Sequence, residues 1–194
     1  FELEKTELKN KSLTNDELDL LMKTPLKSDT QRFIRDMFLF SVFTGLAYAD
    51  LHKLSWKDII TEDDGSFWIS ANRQKSHMEF NVKLLNIPIQ IMEYYKGLAP
   101  DGKVFPSMSL GQVNVGLKRI ARNCGINRAL SFHQARYTLA SQICLSQGVP
   151  IESVSRMLGH KHIQTNQRYA RLNNEKIDND MRQLSARLTT KFNF

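Results

Sequence analysis

Four polar side chains able to handle a phosphate lie between residues 133 and 169 of this 194-residue chain. They are two imidazoles, a guanidinium and a phenol: His133, Arg136, His160 and Tyr169. Their order is the one that phosphodiester chemistry through a tyrosine nucleophile needs. A phenol with its ordinary pKa of about 10 is a poor nucleophile, and nearby cations make it a better one. An arginine on each side of the Tyr169 segment, at positions 168 and 171, provides such cations.

The spacing of these residues also suits an anion site. His133 and Arg136 stand three residues apart near a predicted helix start, so both project from one face. Free amides at a helix start favour an anion, and a guanidinium can bind two phosphate oxygens. Residues 158–160 (Leu-Gly-His) end a second helix and place an imidazole just beyond it. Taken singly, each feature is more typical of a structural role, such as a helix cap or a core edge.

Charge is divided unevenly along the chain, whose net charge is +7. Residues 1–100 carry 13 Lys/Arg against 15 Asp/Glu, whereas residues 101–194 carry 14 against 5. The basic residues alternate with apolar ones, as in 117–122, which indicates a folded surface rather than a tail. This distribution favours a polyanion partner, most simply nucleic acid. Basic charge that serves solubility alone is the other interpretation.

The first half of the chain predicts helices followed by a small sheet. A capping box at 14–17 opens a short helix, and a long apolar helix over 29–44 ends at Gly45. A further short helix is expected over 49–54. Apolar runs separated by turns predict a three-stranded antiparallel sheet, with strands near 59–60, 67–69 and 80–84. Asn86 is expected to cap a helix that reaches residue 95.

The second half is expected to be helical. A capping box at 109–112 opens a helix that ends at Gly125, and Ser131 is expected to cap a helix reaching Gly148. Shorter helices are predicted over 151–158, closed by Gly159, and over 163–170. Cys124 and Cys144 lack metal-site spacing and are expected to be buried, reduced thiols of a cytosolic protein. The chain has neither a membrane-length apolar run nor a signal-peptide pattern.

These motifs together resemble the catalytic domain of tyrosine recombinases, the phage-integrase family. The His-x-x-Arg pair, the Leu-Gly-His triplet and a tyrosine nine residues later occur in the family's order. Upstream, residues 43–59 resemble the family's first motif, and Lys75 stands where the family has its hairpin lysine. The resemblance covers about 13–174. It implies an α+β fold, mainly helical, with a small three-stranded antiparallel sheet.

The resemblance implies a role for each matching residue. Tyr169 attacks the scissile phosphate, which gives a 3′-phosphotyrosyl link and a free 5′-hydroxyl. Arg136 neutralises non-bridging oxygens of the transition state, and His160 hydrogen-bonds to the same phosphate. His133 helps to move the tyrosine proton, and Lys75 protonates the leaving 5′-oxygen. No metal or cofactor is expected, because the arginines stabilise the charge.

The resemblance also predicts partners and domain limits. Double-stranded DNA, a homotetramer on two duplexes, a Holliday junction and accessory DNA-bending factors are expected, with no membrane. Residues 1–12 are predicted to be a linker from a missing N-terminal region, since the chain opens at Phe1 and has its first methionine at Met22. Residues 13–173 form the predicted catalytic domain. Residues 174–194 form a tail helix whose apolar stripe suits either its own core or a neighbouring protomer.

One position departs from the family pattern. Where the first motif normally has an arginine that pairs with Arg136 across the phosphate, this chain has Ala47. Some integrases of mobile elements in anaerobic bacteria resemble this variant. We hypothesise that Arg73 fills the gap, because it lies two residues before Lys75 and strand alternation puts both on one face. Lys53 and Arg35 are the rival candidates.

Two other functions remain open at this stage. A type IB topoisomerase uses the same tyrosine chemistry, although the triplet at 158–160 resembles recombinases more closely. A DNA-binding accessory protein without catalysis would explain Ala47 as a decayed site. The presence of all five other family residues argues against decay. A site-specific recombinase or integrase of a mobile element is therefore the leading interpretation.

Overall fold

The structure, a computed structural model, describes residues 11–73, 79–159 and 181. The chain forms helices and a small three-stranded antiparallel sheet, which confirms the predicted fold class. Among these residues, no helix has both the length and the apolar character that crossing a bilayer requires.

Three helices precede the sheet: α1 (Asn15–Lys23), α2 (Asp29–Thr44) and α3 (Tyr48–Lys53). The predicted capping box is confirmed at α1, where the Thr14 hydroxyl accepts from the Glu17 amide and the Glu17 carboxylate accepts from the Thr14 amide. Helix α2 ends at Gly45, whose φ of 73° is in the left-handed region that glycine adopts most readily. These local signals fix where the first helices begin and end.

The sheet follows a 3₁₀ turn at Trp56–Asp58. Its strands are β1 (Ile59–Thr61), β2 (Phe67–Asn72) and β3 (Glu79–Lys83), paired antiparallel in the order β1-β2-β3. Ile69 of β2 pairs with Val82 of β3, and both are fully buried. The predicted turn near residues 76 and 77, which holds Lys75, lies outside the described residues.

The second half is helical, and its helices pack around α2 from the first half. Its elements are α4 (Asn86–Tyr94), α5 (Leu110–Asn123), α6 (Gln134–Thr138), a π-helical turn (Leu139–Cys144), a 3₁₀ turn (Leu145–Gln147) and α7 (Ile151–Leu158). Helices α4, α5 and α6 all pack on α2. Gly116 lets α5 approach α2 closely, because a Cβ there would meet the Ile34 side chain.

Two predicted helix starts are wrong. The Leu85 carbonyl accepts the first helical bond of α4, from the Ile89 amide, so Leu85 rather than Asn86 is the cap residue. Ser131 does not cap α6 either. Its amide donates to the Gln134 side chain at 2.7 Å, and this turn delays the helix to Gln134.

The predicted helix over 131–148 is also not uniformly α-helical. After Thr138 it widens into the π-helical turn and then tightens before Gly148, whose φ is 84°. Three hydroxyls bond to carbonyls four residues back in this region: Thr138 to Gln134, Ser141 to Tyr137, and Ser146 to Gln142. Such bonds compete with the regular backbone pattern and bend helices. These bonds lie in the segment that departs from regular α-helical geometry.

A small second core holds α7 against the π-helical turn. It consists of Leu139, Ala140, Cys144, Leu145, Val154 and Leu158. As predicted, both cysteines are free and buried. Burial raises the pKa of the Cys144 thiol to about 11, so the thiol is protonated at neutral pH.

The start of the described chain is tied to α6. Leu13 is fully buried, and its amide donates to the Thr138 hydroxyl at 2.9 Å. Arg128 donates to the carbonyl of Ser12 and to the carboxylate of Glu17, at 2.6 Å for the nearer carboxylate oxygen. Residues 12–17 are therefore held to the helix that carries Arg136 and to the loop before it.

Replacing the Thr138 hydroxyl tests this tie. Thr138→Val keeps the side-chain shape but leaves the buried Leu13 amide without its acceptor, so we expect the free energy of unfolding to fall by about 1–3 kcal/mol. The matched control Ser141→Ala removes a similar hydroxyl-to-carbonyl bond that joins no second segment. It should change stability by about 0.5 kcal/mol or less. Urea unfolding measures both, and equal losses in the two variants would contradict the tie.

Candidate active site

The end of helix α7 is the point where the candidate site residues meet. The helix stops at Gly159, which has a φ of 58° and donates its amide to the Arg156 carbonyl at 2.9 Å. The last carbonyls of any helix receive no hydrogen bond from an N–H group of the same helix, and they carry partial negative charge. Here two of them, on Met157 and Leu158, accept from arginine side chains.

Arg136 joins the end of α7 to the end of α2. Its guanidinium donates to the Leu158 carbonyl at 3.0 Å and to the Gly45 carbonyl. A Cβ at Gly45 would lie 2.6 Å from a Leu139 methyl carbon and 2.7 Å from one of Leu158. Glycine at this position is therefore required both by the backbone angle and by close packing.

His133 lies directly before α6, one turn from Arg136. Its imidazole is exposed to solvent and packs edge to face with the Tyr137 ring, with 5.0 Å between the two ring centres. Partial burial, and secondarily the positive charge of Arg136, lower the pKa of His133 below its usual value. A neutral imidazole at neutral pH can accept a proton, which suits the role that the sequence predicted.

Arg73 approaches the same helix end from the sheet. It follows β2 and donates to the Asp50 carboxylate at 2.6 Å and to the Met157 carbonyl at 2.8 Å. Its guanidinium carbon stands 4.0 Å from the centre of the Phe80 ring. The side chains of Arg73 and Asp50 are only 5% and 6% exposed. Burial lowers the pKa of Arg73 and the Asp50 carboxylate opposes this effect, so the guanidinium stays charged.

The structure thus brings Arg73 and Arg136 to neighbouring carbonyls of one helix turn. It also brings Arg73 near the departure from the family pattern, because Asp50 lies one helical turn after Ala47 in α3. Contact of Arg73 with a phosphate stays a prediction. The contacts described above engage both of its terminal nitrogens with protein groups.

The two rival cations have other surroundings. Arg35 donates to the carbonyls of Met22 and Thr24, at 3.4 and 3.1 Å, and so caps the end of α1. Lys53 is exposed at the end of α3. Arg35 therefore lies at the end of α1 and not at the end of α7.

Three predicted site residues, Lys75, His160 and Tyr169, lie outside the described residues, as do the predicted helix over 163–170 and, apart from residue 181, the predicted tail helix over 174–194. The roles assigned to them stay predictions. Among the residues that the structure does describe, no three His, Cys, Asp or Glu side chains converge as a metal site would require.

Sequence reasoning missed Asp50 as part of the site. The residue was visible within the first motif, and a carboxylate between Ala49 and Leu51 in a largely apolar stretch was a sign of a buried ion pair. Its partner could not be chosen from the sequence, because Arg73 is 23 residues away. The carbonyls of Gly45 and Leu158 were missed because backbone acceptors leave no mark in a sequence.

The helical arrangement with its small sheet is the fold of tyrosine recombinase catalytic domains. The pre-cleavage complex of the XerH site-specific recombinase with difH substrate superposes with a TM-score of 0.71 at 20% identity, over 88% of this chain and 53% of that one. The Tn1549 transposon integrase with circular intermediate DNA gives 0.65 at 18% identity, over 89% and 66%. At these identities the likeness establishes the fold alone.

Sequence comparison establishes the family. Residues 11–176 match the Phage integrase family, and the chain belongs to it. Tyrosine recombinase XerC of Xanthomonas axonopodis pv. citri (strain 306) is 28% identical over 170 residues, which cover 82% of this chain and 53% of that protein. Tyrosine recombinase XerC of Neisseria gonorrhoeae (strain ATCC 700825 / FA 1090) is 25% identical over 178 residues, covering 86% and 57%. The chain spans little more than half the length of these relatives.

The environment of His133 predicts its titration. Its imidazole should titrate below about 6.5, the ordinary value for histidine. Arg136→Gln should raise the midpoint without restoring it fully, because burial is the larger cause, whereas Arg136→Lys keeps the charge and should leave it low. NMR titration of the imidazole measures the three midpoints. An unchanged midpoint in Arg136→Gln would show that Arg136 does not act on this imidazole.

The same shift fixes the sign of a stability effect. As pH falls below about 6.5, the unfolded chain takes up the His133 proton before the folded chain does, so stability falls with pH through that window. His133→Asn should make the dependence on pH shallower there. Urea unfolding at several pH values, with His52→Asn as the control histidine, measures it.

Proposed function

We propose that this chain is the catalytic part of a site-specific DNA recombinase that cleaves and rejoins strands through Tyr169. The observation that carries the proposal is the position of Arg136, fixed between the ends of α2 and α7 with His133 one turn away. His160 is the next residue after the turn that Arg136 contacts. Membership of the Phage integrase family and the similarity to tyrosine recombinases support the same reaction class.

In the proposed reaction, the Tyr169 oxygen attacks the scissile phosphorus while His133 takes the phenolic proton. The bond to the 5′-oxygen breaks, Lys75 donates a proton to that oxygen, and a 3′-phosphotyrosyl ester remains. Arg136 and His160 stabilise the negative charge on the non-bridging oxygens. Attack by a 5′-hydroxyl from another strand reverses these steps and rejoins the DNA. Energy is conserved in the ester, so no external nucleotide is required.

The proposed partner is double-stranded DNA, bound as a homotetramer that exchanges strands through a Holliday junction. Accessory DNA-bending factors belong to the same proposal. The relatives named above are tyrosine recombinases, which supports the reaction class, and the variant first motif with Ala47 favours a mobile element as the source. The chain spans little more than half the length of these relatives, so the DNA contacts proposed here are those of this part alone. The proposed place of action is the bacterial cytoplasm, at the nucleoid.

Helix α5 is the described element best suited to contact phosphates. Lys118, Arg119 and Arg122 are exposed along it, and the helix contains no Asp or Glu. Its opposite face, with Val113, Leu117 and Ile120, is fully buried in the core. A one-sided row of cations on a rigid helix can follow a DNA backbone.

Covalent trapping tests the proposed reaction. Wild-type protein is incubated with a pool of randomised nicked duplexes, in which the short strand released by cleavage diffuses away and religation is prevented. We expect a protein–DNA adduct that survives denaturation, and Tyr169→Phe should abolish it because no phenolic oxygen remains. Tyr94→Phe, which changes an exposed tyrosine on α4, should form the adduct like wild type. The duplexes enriched in the adduct then identify a cleavable sequence.

Other outcomes would overturn this proposal. Binding of DNA without any adduct would favour the accessory DNA-binding protein, the function that Ala47 leaves open. Relaxation of supercoiled plasmid without sequence preference would favour a topoisomerase.

The α5 surface gives a separate prediction. Lys118→Gln and Arg122→Gln should each lower the slope of log binding constant against log salt by about 1, because each removes one phosphate contact. Lys96→Gln removes the same charge from the end of α4, where Lys96 pairs with Glu93 at 3.2 Å, and should leave the slope unchanged. Fluorescence anisotropy on a labelled duplex at several salt concentrations measures it. Equal slopes in all variants would remove α5 from the DNA surface.

A further inference from the structure

The buried pair of Arg73 and Asp50 has a geometry that points to a role other than phosphate binding. The Arg73 guanidinium lies between three groups: the Asp50 carboxylate, the Met157 carbonyl and the face of the Phe80 ring. Both charged side chains are more than nine-tenths buried. A guanidinium engaged in this way is fixed in position, and it joins α3, β3 and the end of α7.

The contact with α7 continues into Gly159. A Cβ on this glycine would lie 2.6 Å from Nε of Arg73, 2.8 Å from its Cγ and 3.2 Å from its Cδ. The last turn of α7 therefore rests directly on the Arg73 side chain, and only glycine fits there. His160 is the next residue in the chain.

We propose that Arg73 is a positioning residue: held by Asp50, it fixes the final turn of α7, after which His160 follows in the sequence. This inference rests on the proposed function for the role of His160, but its first measurement does not. On this proposal Arg73 does not replace the phosphate-binding arginine that is missing at position 47. In this arrangement the Arg73 guanidinium forms a salt bridge with Asp50 and donates a hydrogen bond to the Met157 carbonyl.

Arg73 and Arg136 contact neighbouring carbonyls at the end of α7. Arg136 holds the Leu158 carbonyl and reaches α2, whereas Arg73 holds the preceding carbonyl and reaches α3. Two fixed contacts on neighbouring carbonyls restrict both the translation and the rotation of the turn. A site residue displaced by about 1 Å can lose a factor on the order of 100 in rate, so such restriction matters for catalysis.

Hydrogen exchange of the protein alone is the first test. Asp50→Asn keeps the size of the side chain but removes the charge that holds Arg73, and Arg73→Lys keeps the charge but cannot fork between two acceptors. In both variants we expect amides at 154–159 to exchange about 10-fold faster or more. The control Glu17→Gln breaks the half-buried pair with Arg128 and should affect α1 while leaving α7 unchanged. Unchanged exchange at 154–159 in both site variants overturns the proposal.

Cleavage of the enriched nicked duplex is the second test, and it separates positioning from charge. At saturating DNA, Arg73→Lys and Asp50→Asn should cleave on the order of 100-fold more slowly, with an unchanged Kd for DNA. A duplex with a methylphosphonate at the scissile position has no negative charge there to neutralise. A variant that lacks only a phosphate clamp should recover on this substrate, and a variant with a misplaced turn should not.

The outcomes are distinguishable. Slow cleavage on both substrates with faster exchange supports positioning, and recovery on the methylphosphonate with normal exchange shows that Arg73 is a phosphate clamp. Ala47→Arg in the Arg73→Lys background should rescue a lost clamp but not a misplaced turn. If wild-type protein forms no adduct with any duplex, the proposed function fails, and the exchange measurement still decides whether Arg73 and Asp50 position α7.

Discussion

The capping of the last carbonyls of α7 by two arginines is the interaction on which the candidate site depends. These carbonyls receive no hydrogen bond from an N–H group of their own helix. The Leu158 side chain packs closely with Leu139 and the end of α2. Leaving one such carbonyl unsatisfied costs about 1–3 kcal/mol. Arg73 and Arg136 satisfy them with charged donors, which also suit the negative end of the helix dipole. The same two contacts bring α2, α3 and the sheet to one point.

Two glycines make this convergence possible. Gly45 ends α2 in a left-handed conformation and exposes a carbonyl to Arg136, with no room for a side chain against Leu139 and Leu158. Gly159 ends α7 in the same conformation and rests on the stem of Arg73. Both glycines were predicted from the sequence as helix ends. Their second function, close approach between elements, depends on tertiary packing and became visible only in the structure.

The sequence predicted what local chemistry determines and missed what distant contacts determine. The capping boxes at Thr14 and Ser109 and the three-stranded sheet follow from nearby residues, and all are confirmed. The π-helical turn after Thr138 is a different case, since the hydroxyl there also receives a bond from Leu13, 125 residues away. The pairing of Arg73 with Asp50 is likewise tertiary. Strand alternation placed Arg73 near the site but could not specify which group it binds.

Charge balance explains the pairing of Arg73 with Asp50. Asp50 is buried one helical turn after Ala47, and an uncompensated buried carboxylate costs roughly 3–5 kcal/mol when its partner is removed. Arg73 provides the compensating charge from the end of β2, at 2.6 Å from the Asp50 carboxylate. The pair is neutral as a whole. In the proposed reaction, neutralisation of the bound phosphate therefore falls to Arg136 and to cations beyond the pair.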